Sequence, residues 1–313
     1  MRVHVVPDAA ILAARFVPDR SLRFPAGSYE PVDDPRDAEI ILPGVDLFAC
    51  RDRDQFLRVP CVAQYEARCA LMDCADNYTL YHTPAILIRG NLSNARLADA
   101  PNSLNLGWPV EDMAQSVRDI HRAVPLVPPD GYTHEIGFHG WTKSKDTRQR
   151  AYDSCVREFG DRFDGAAYPD FSGYLWNTDG TPKAEWLCRR HLFIDCLTRS
   201  RVQLCPESID GVLPYRFFEA ISAGRIAALV GSNYVLPWRD EINYAAFCLF
   251  IPEREAEQAG PVIRKWLNGE TDTTLEARGA LGRAAFTRWL DSRYSPERQR
   301  EAVEKQARKA GLL

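Results

Sequence analysis

Long apolar runs are missing from this 313-residue sequence. No segment approaches the roughly 18 to 20 apolar residues that cross a bilayer, so no membrane-spanning helix is expected. The N-terminal stretch MRVHVVPDAAILAARF is interrupted by Pro7, Asp8 and Arg15, and reads as a strand followed by a helix or loop rather than a signal peptide. Paired cysteine motifs are lacking too. The nine cysteines include no C-x-x-C, and the nearest two, Cys69 and Cys74, have four residues between them. That scatter argues against a disulfide framework and for buried thiols in a reducing compartment. Six dispersed histidines give no zinc-ligand spacing. No G-x-G-x-x-G follows the first strand, which speaks against a nicotinamide-dependent dehydrogenase. Dense basic stripes are absent and the net charge is -4, so nucleic acid is not an expected partner.

The composition, 45% hydrophobic and 26% charged, is that of a folded chain, and the length fits about two domains. Short apolar runs alternate with longer segments, the pattern of an α/β layer structure. Strands are expected at Val3–Val6, Ile40–Leu42, Ala85–Ile88 and Ser103–Leu106, with helices over Asp54–Asp73 and Met113–Ala123. The stretch VPLVPPDGY then forms an extended connector. The pattern restarts with a strand at Glu135–Phe138, a helix at Asp146–Phe159, a strand at Asp164–Tyr168 and a helix at Ala184–Thr198. A strand at Ala246–Ile251 and three helical segments, about Gln258–Leu267, Leu275–Leu290 and Pro296–Ala310, complete the chain.

The segment Ser200–Trp238 carries the most chemistry. A strand at Val202–Cys205 leads into a polar loop, Pro206–Gly211, and a helix that opens at Pro214 and stops at Gly224. A further strand follows at Ile226–Val230. Arg216 and Glu219 share one helix face, and the simplest reading is an i, i+3 salt bridge between them. The alternative is an anion site, in which Arg216 and the helix N-terminus face a phosphate and Glu219 accepts ribose hydroxyls. A second loop, His139–Lys145, is followed by Arg148. Gly140 there permits close backbone approach, and Lys143, Lys145 or Arg148 offers charge to a pyrophosphate. The bland counterpart is a solvated basic helix start.

These residues resemble the exostosin-type (GT47) glycosyltransferases. The resemblance rests on Arg216-Phe217-Phe218-Glu219-Ala220-Ile221 with Gly224, on Val235-Leu236-Pro237-Trp238, on FCLFIPE at Phe247–Glu253, on IGFHGW with Arg148, and on VDDPRDAEIILP near the N-terminus. It is dense only between about Leu197 and Glu253. Pro214 and Ala227-Ala228 depart from the family pattern.

The resemblance implies a GT-B-like α/β fold: two Rossmann-like domains facing a cleft, with a C-terminal helical tail. Residues 1–127 would form the acceptor-side domain, 128–290 the nucleotide-sugar domain, and 291–313 a helix bracing the first domain. Implied further is inverting transfer of a sugar, expected to be UDP-linked, to a glycan acceptor in polysaccharide or lipopolysaccharide synthesis, with no cofactor and no metal. Asp52-Arg53-Asp54 matches D-x-D formally but follows no evident strand. The donor-binding set is Arg216, Glu219, Gly140, Lys143, Arg148, Ser208 and Gly211. For the base that deprotonates the acceptor, Asp76 is preferred, with His82 and then Asp73 as alternatives. The chain is expected in the cytoplasm, associating with the membrane only peripherally, through a lipid-linked acceptor. The competing reading is a GT-B-like nucleotide-binding or scaffold subunit without catalysis.

Overall fold

The computed structural model describes residues 1–13, 22, 24–45, 53–73, 83–89, 97–98, 102–105, 111–168, 183–208, 212–291 and 296–313. It is an α/β structure whose chain divides into two compact units. Unit 1 comprises Met1–Ala114, Val235–Trp238 and Leu290–Leu313, and unit 2 comprises Gln115–Tyr234 and Arg239–Trp289. The division falls earlier than the proline-rich connector, within a helix, α4 (Glu111–Ala123).

Unit 1 holds parallel strands β1 (Arg2–Val5), β2 (Glu30–Pro31) and β3 (Ile40–Leu42) in the order β2-β1-β3. Strands β4 (Ala70–Asp73), β5 (Ile86–Arg89) and β6 (Leu104–Asn105) form a second parallel set. A parallel bridge between Ile41 and Cys69 joins the two. Their core is continuous, running from Val6 and Ile11, in helix α1 (Asp8–Ala13), to Leu71 and Leu87.

The helix expected over Asp54–Asp73 is not continuous. It breaks into α2 (Arg53–Phe56), α3 (Val62–Tyr65) and strand β4. Pro60 removes a backbone donor, and Cys61 beside it adopts a left-handed φ of 68°. Beyond them, the apolar run Ala70-Leu71-Met72 gains more by pairing with β5, where Ala70 faces Ile86.

Unit 2 is a five-stranded parallel sheet in the order β11-β10-β9-β7-β8. Its strands are β7 (His134–Trp141), β8 (Phe163–Tyr168), β9 (Ser200–Pro206), β10 (Ile226–Val230) and β11 (Cys248–Ile251). The first crossover, helix α5 (Asp146–Phe159), sends β8 to one side of β7. The next, helix α6 (Ala184–Arg199), returns the chain to the other side, where β9 pairs with β7. The carboxyl ends of β7 and β9 are therefore a topological switch point, the place where open parallel sheets take ligands.

One face of this sheet packs Ile136, Phe138, Val202, Leu204, Ala228 and Val230 against Ala151, Cys155 and Phe159 of α5 and against Ile263 and Leu267 of helix α8 (Ala259–Leu267). The inner strand β10, Ile226–Val230, is apolar and buried on both faces, as a strand covered on both sides requires. Helix α7 (Tyr215–Ser222) lies between β9 and β10, with Pro214 as its N-cap residue. Phe217, Phe218 and Ile221 are buried, as their spacing predicts. Gly224 ends the helix at a left-handed φ of 71°, and a side chain there would overlap Leu126. Helix α9 (Asp272–Ala285) also belongs to unit 2, whereas the terminal helix α10 (Pro296–Lys309) lies in unit 1 and packs against β5.

Arg225 anchors the connector inside unit 2. It is 1% exposed, and it donates through Nε to Leu197 O at 2.6 Å and through its terminal nitrogens to Leu126 O at 2.7 Å and Pro125 O at 2.9 Å. These carbonyls lie outside regular ladders, so removing the donor strands them without water. Arg225→Met is expected to lower the unfolding free energy by about 3 kcal/mol, read as a drop in the urea midpoint at unchanged slope.

Candidate active site

Arg148 and Arg216 meet beside the switch point of unit 2. Arg148 comes from the first turn of α5, following β7, and Arg216 from the first turn of α7, following β9. Arg148 is 7% exposed, and its Nη1 donates to Ser144 Oγ at 3.3 Å. The Arg216 guanidinium lies flat between aromatic rings, with Cζ 4.3 Å from the centre of Phe138 and 5.3 Å from that of Phe193. Its Nη2 donates to the carbonyl of His139.

Among the described residues, neither arginine is ion-paired with a carboxylate, and the Nε of each is buried without a hydrogen-bond partner. Burial pushes the Arg148 guanidinium down to about 9, and the charge of Arg216 adds to the depression. Burial also lowers Arg216, against the opposing influence of Cys205 and Glu219. Two like charges near one another, one buried and one half-buried, each with an Nε that has no partner among the described residues, suit a dianion.

Gly140 is the element that admits this arrangement. A side chain at that position would overlap the Arg216 guanidinium, so the strand must lack one for the arginine to lie across it. On sequence grounds Gly140 lets the backbone approach a ligand closely. The approach seen is that of Arg216.

The other expected donor residues distribute unevenly. Ser208 donates to Ser144 Oγ at 3.2 Å, and so joins the same hydrogen-bonded chain as Arg148. Lys143 is exposed. Glu219 makes neither the i, i+3 bridge to Arg216 nor an open acceptor. It is 4% exposed, and its Oε1 accepts from Arg190 of α6 at 2.5 Å. Arg190 outcompetes Arg216 because the latter is drawn to the His139 carbonyl and the Phe138 ring. Gly211, Asp76, His82 and Asp52 lie outside the described residues. Asp73 is the last residue of β4.

His139 is held at both ring nitrogens, Nδ1 at 3.1 Å from Tyr168 Oη and Nε2 at 3.1 Å from Asp164 Oδ1. Asp164 also accepts from Arg199 at 3.0 Å. Burial opposes ionisation of this carboxyl, but His139 and Arg199 outweigh it and hold Asp164 below the usual carboxylate range. His139, Asp164 and Cys196 bring three ligand atoms within 4.8 Å of one another. Those atoms are already engaged: His139 Nε2 meets Asp164 Oδ1, Cys196 Sγ donates to the backbone carbonyl of Asp164 at 3.5 Å, and burial pushes its thiol up to about 12. The cluster reads as a brace across β7, β8 and α6 that fixes the His139 carbonyl under Arg216.

Sequence reasoning missed Ser144, Phe138, Phe193 and Arg190. Phe138 closes an expected strand and Phe193 falls inside an expected helix; both are buried, and only the fold lays an arginine over them. Arg148→Met should leave the melting temperature of the free protein unchanged or higher, because it removes a buried, uncompensated charge. The same variant should lose the rise in melting temperature that inorganic pyrophosphate gives the unaltered protein, read by differential scanning fluorimetry.

No protein-family profile matches the chain, and no curated protein matches its sequence. Among solved structures it is similar to Anabaena Alr3699/HepE, in complex with UDP and glucose, at 7% identity and a TM-score of 0.46, over 88% of this chain and 78% of that one.

Proposed function

We propose that this chain is a glycosyltransferase of the GT-B kind, which moves a sugar from a nucleotide donor, expected to be UDP-linked, to a glycan or glycolipid acceptor. The observation that carries the reading is the pair of Arg148, buried, and Arg216, half-buried, without a carboxylate partner among the described residues, at the switch point of a parallel sheet. Its supporting argument is the ordered motif Arg216-x-x-Glu219-Ala220 with Gly224 and Leu236-Pro237-Trp238.

The chemistry follows from charge. The acceptor hydroxyl forms a bond to the anomeric carbon from the face opposite the leaving group, which inverts that carbon. The bond to the diphosphate breaks, and its electron pair stays on the phosphate oxygen. Two fixed guanidinium groups stabilise that developing charge without reorganising, the role a metal ion plays in transferases that use one. Transfer is accordingly proposed to need no metal. The hydroxyl proton goes to a general base, for which Asp76 is proposed first, then His82, then Asp73. A place in polysaccharide or lipopolysaccharide synthesis, and a cytoplasmic site of action, belong to the same proposal.

The deciding assay incubates the protein with UDP-sugars and a glycan acceptor in the presence of EDTA. Turnover is expected. Arg216→Ala should lower kcat/KM by about 100- to 1000-fold, the typical loss when one preorganised donor to a developing anion is removed. Full activity in that variant would sink the donor-site assignment. UDP binding without turnover of any UDP-sugar would favour the non-catalytic scaffold instead.

A further inference from the structure

In unit 2, the loops that follow β7, β9, β10 and β11 are tied together by one cation set between two carboxylates. Lys145 Nζ lies 3.4 Å from Glu207 Oε1 and 3.0 Å from Glu253 Oε1. Glu207 has no exposed surface, and its Oε2 accepts from the backbone N–H groups of Ser232 at 3.0 Å and Asn233 at 3.5 Å. A side chain on Gly231 would overlap that oxygen, so the glycine is what lets the carboxylate enter the loop. Glu253 Oε1 also accepts from Thr147 Oγ1 at 2.7 Å, and the Glu253 N–H donates to Ser232 Oγ at 3.0 Å.

Through Lys145 and Thr147 these contacts reach the start of α5. Thr147 precedes Arg148 in the chain, and the Arg148 N–H donates to Lys145 O at 3.0 Å. Two carboxylates placed this close to a pair of arginines oppose anion binding by charge alone. Burying Glu207 is also costly unless it is fully paired. What the trio does supply is rigidity: it fixes the turn that carries Arg148 to three other loops at once.

We propose that Lys145, Glu207 and Glu253 are positioning residues, which hold the first turn of α5 so that Arg148 is kept beside Arg216. The proposal rests on the reading of those arginines as the donor-diphosphate site. It takes Lys145 out of the set of phosphate ligands, since its charge is already engaged by two glutamates.

The sign of one substitution separates this role from simple electrostatics. Glu253 is partly exposed, so Glu253→Gln is expected to fold, and it removes a negative charge from the neighbourhood of an anion site. Electrostatics alone predicts tighter binding of inorganic pyrophosphate in titration calorimetry. Positioning predicts the reverse, a loss of about tenfold, together with roughly tenfold faster hydrogen exchange at amides 145–149 in the ligand-free protein. Lys145→Met should do the same and Lys145→Arg should restore much of the affinity, because it keeps both ion pairs. Equal or tighter pyrophosphate binding by Glu253→Gln, with exchange unchanged, overturns the proposal. If the unaltered protein binds no pyrophosphate, the donor-site reading falls. An unchanged exchange rate sinks the positioning role, so the two failures are told apart.

Discussion

The constraint on which the second unit depends is the confinement of two guanidinium groups at one end of a parallel sheet. Like charges out of water repel one another and lose hydration, and a fold keeps them only where other contacts determine their positions. Arg216 is fixed by two aromatic rings and one carbonyl, Arg148 by Ser144 and the first turn of its helix. The neighbouring acids are directed elsewhere. Glu219 is engaged by Arg190, Asp164 by His139 and Arg199, and Glu207 and Glu253 by Lys145. On the proposed reading of the site, such an arrangement gives up stability in the free protein for affinity toward an anion, a common trade at functional sites.

Topology explains why the pair sits where it does. Crossovers to opposite sides of β7 place its carboxyl end and that of β9 at a switch point of the sheet. The helices that follow each strand therefore begin at one crevice and deliver their first-turn residues to it. Glycine enters the scheme twice for the same steric reason. Gly140 makes room for the Arg216 guanidinium and Gly231 for the Glu207 carboxylate. In both cases the missing side chain admits a charged group, and the backbone itself is ordinary.

Most of the second unit was legible in the residues. Helix Asp146–Phe159 and strand Ile226–Val230 fall where periodicity and apolar runs put them, because their burial patterns are strong and their ends are marked by Gly160 and Gly224. The first unit was harder to read. The segment Asp54–Asp73 has a loose helical rhythm, yet Pro60 and pairing with β5 divide it into two short helices and a strand. Local pattern yields there to a partner strand distant in sequence.

For the site, residue type and order along the chain specify which groups are available: Arg148, Arg216, Glu219 and Gly140. Tertiary structure decided what each one meets. Whether Glu219 faces a ligand or an arginine depends on Arg190, which lies on another helix. Whether Lys145 is a ligand or a tie depends on two glutamates from separate loops. Side-chain pairing of this kind is set by distances across the sheet, and spacing along one chain segment carries no record of them. Residue order gave the charges and their helices; only the fold gave each charge its partner.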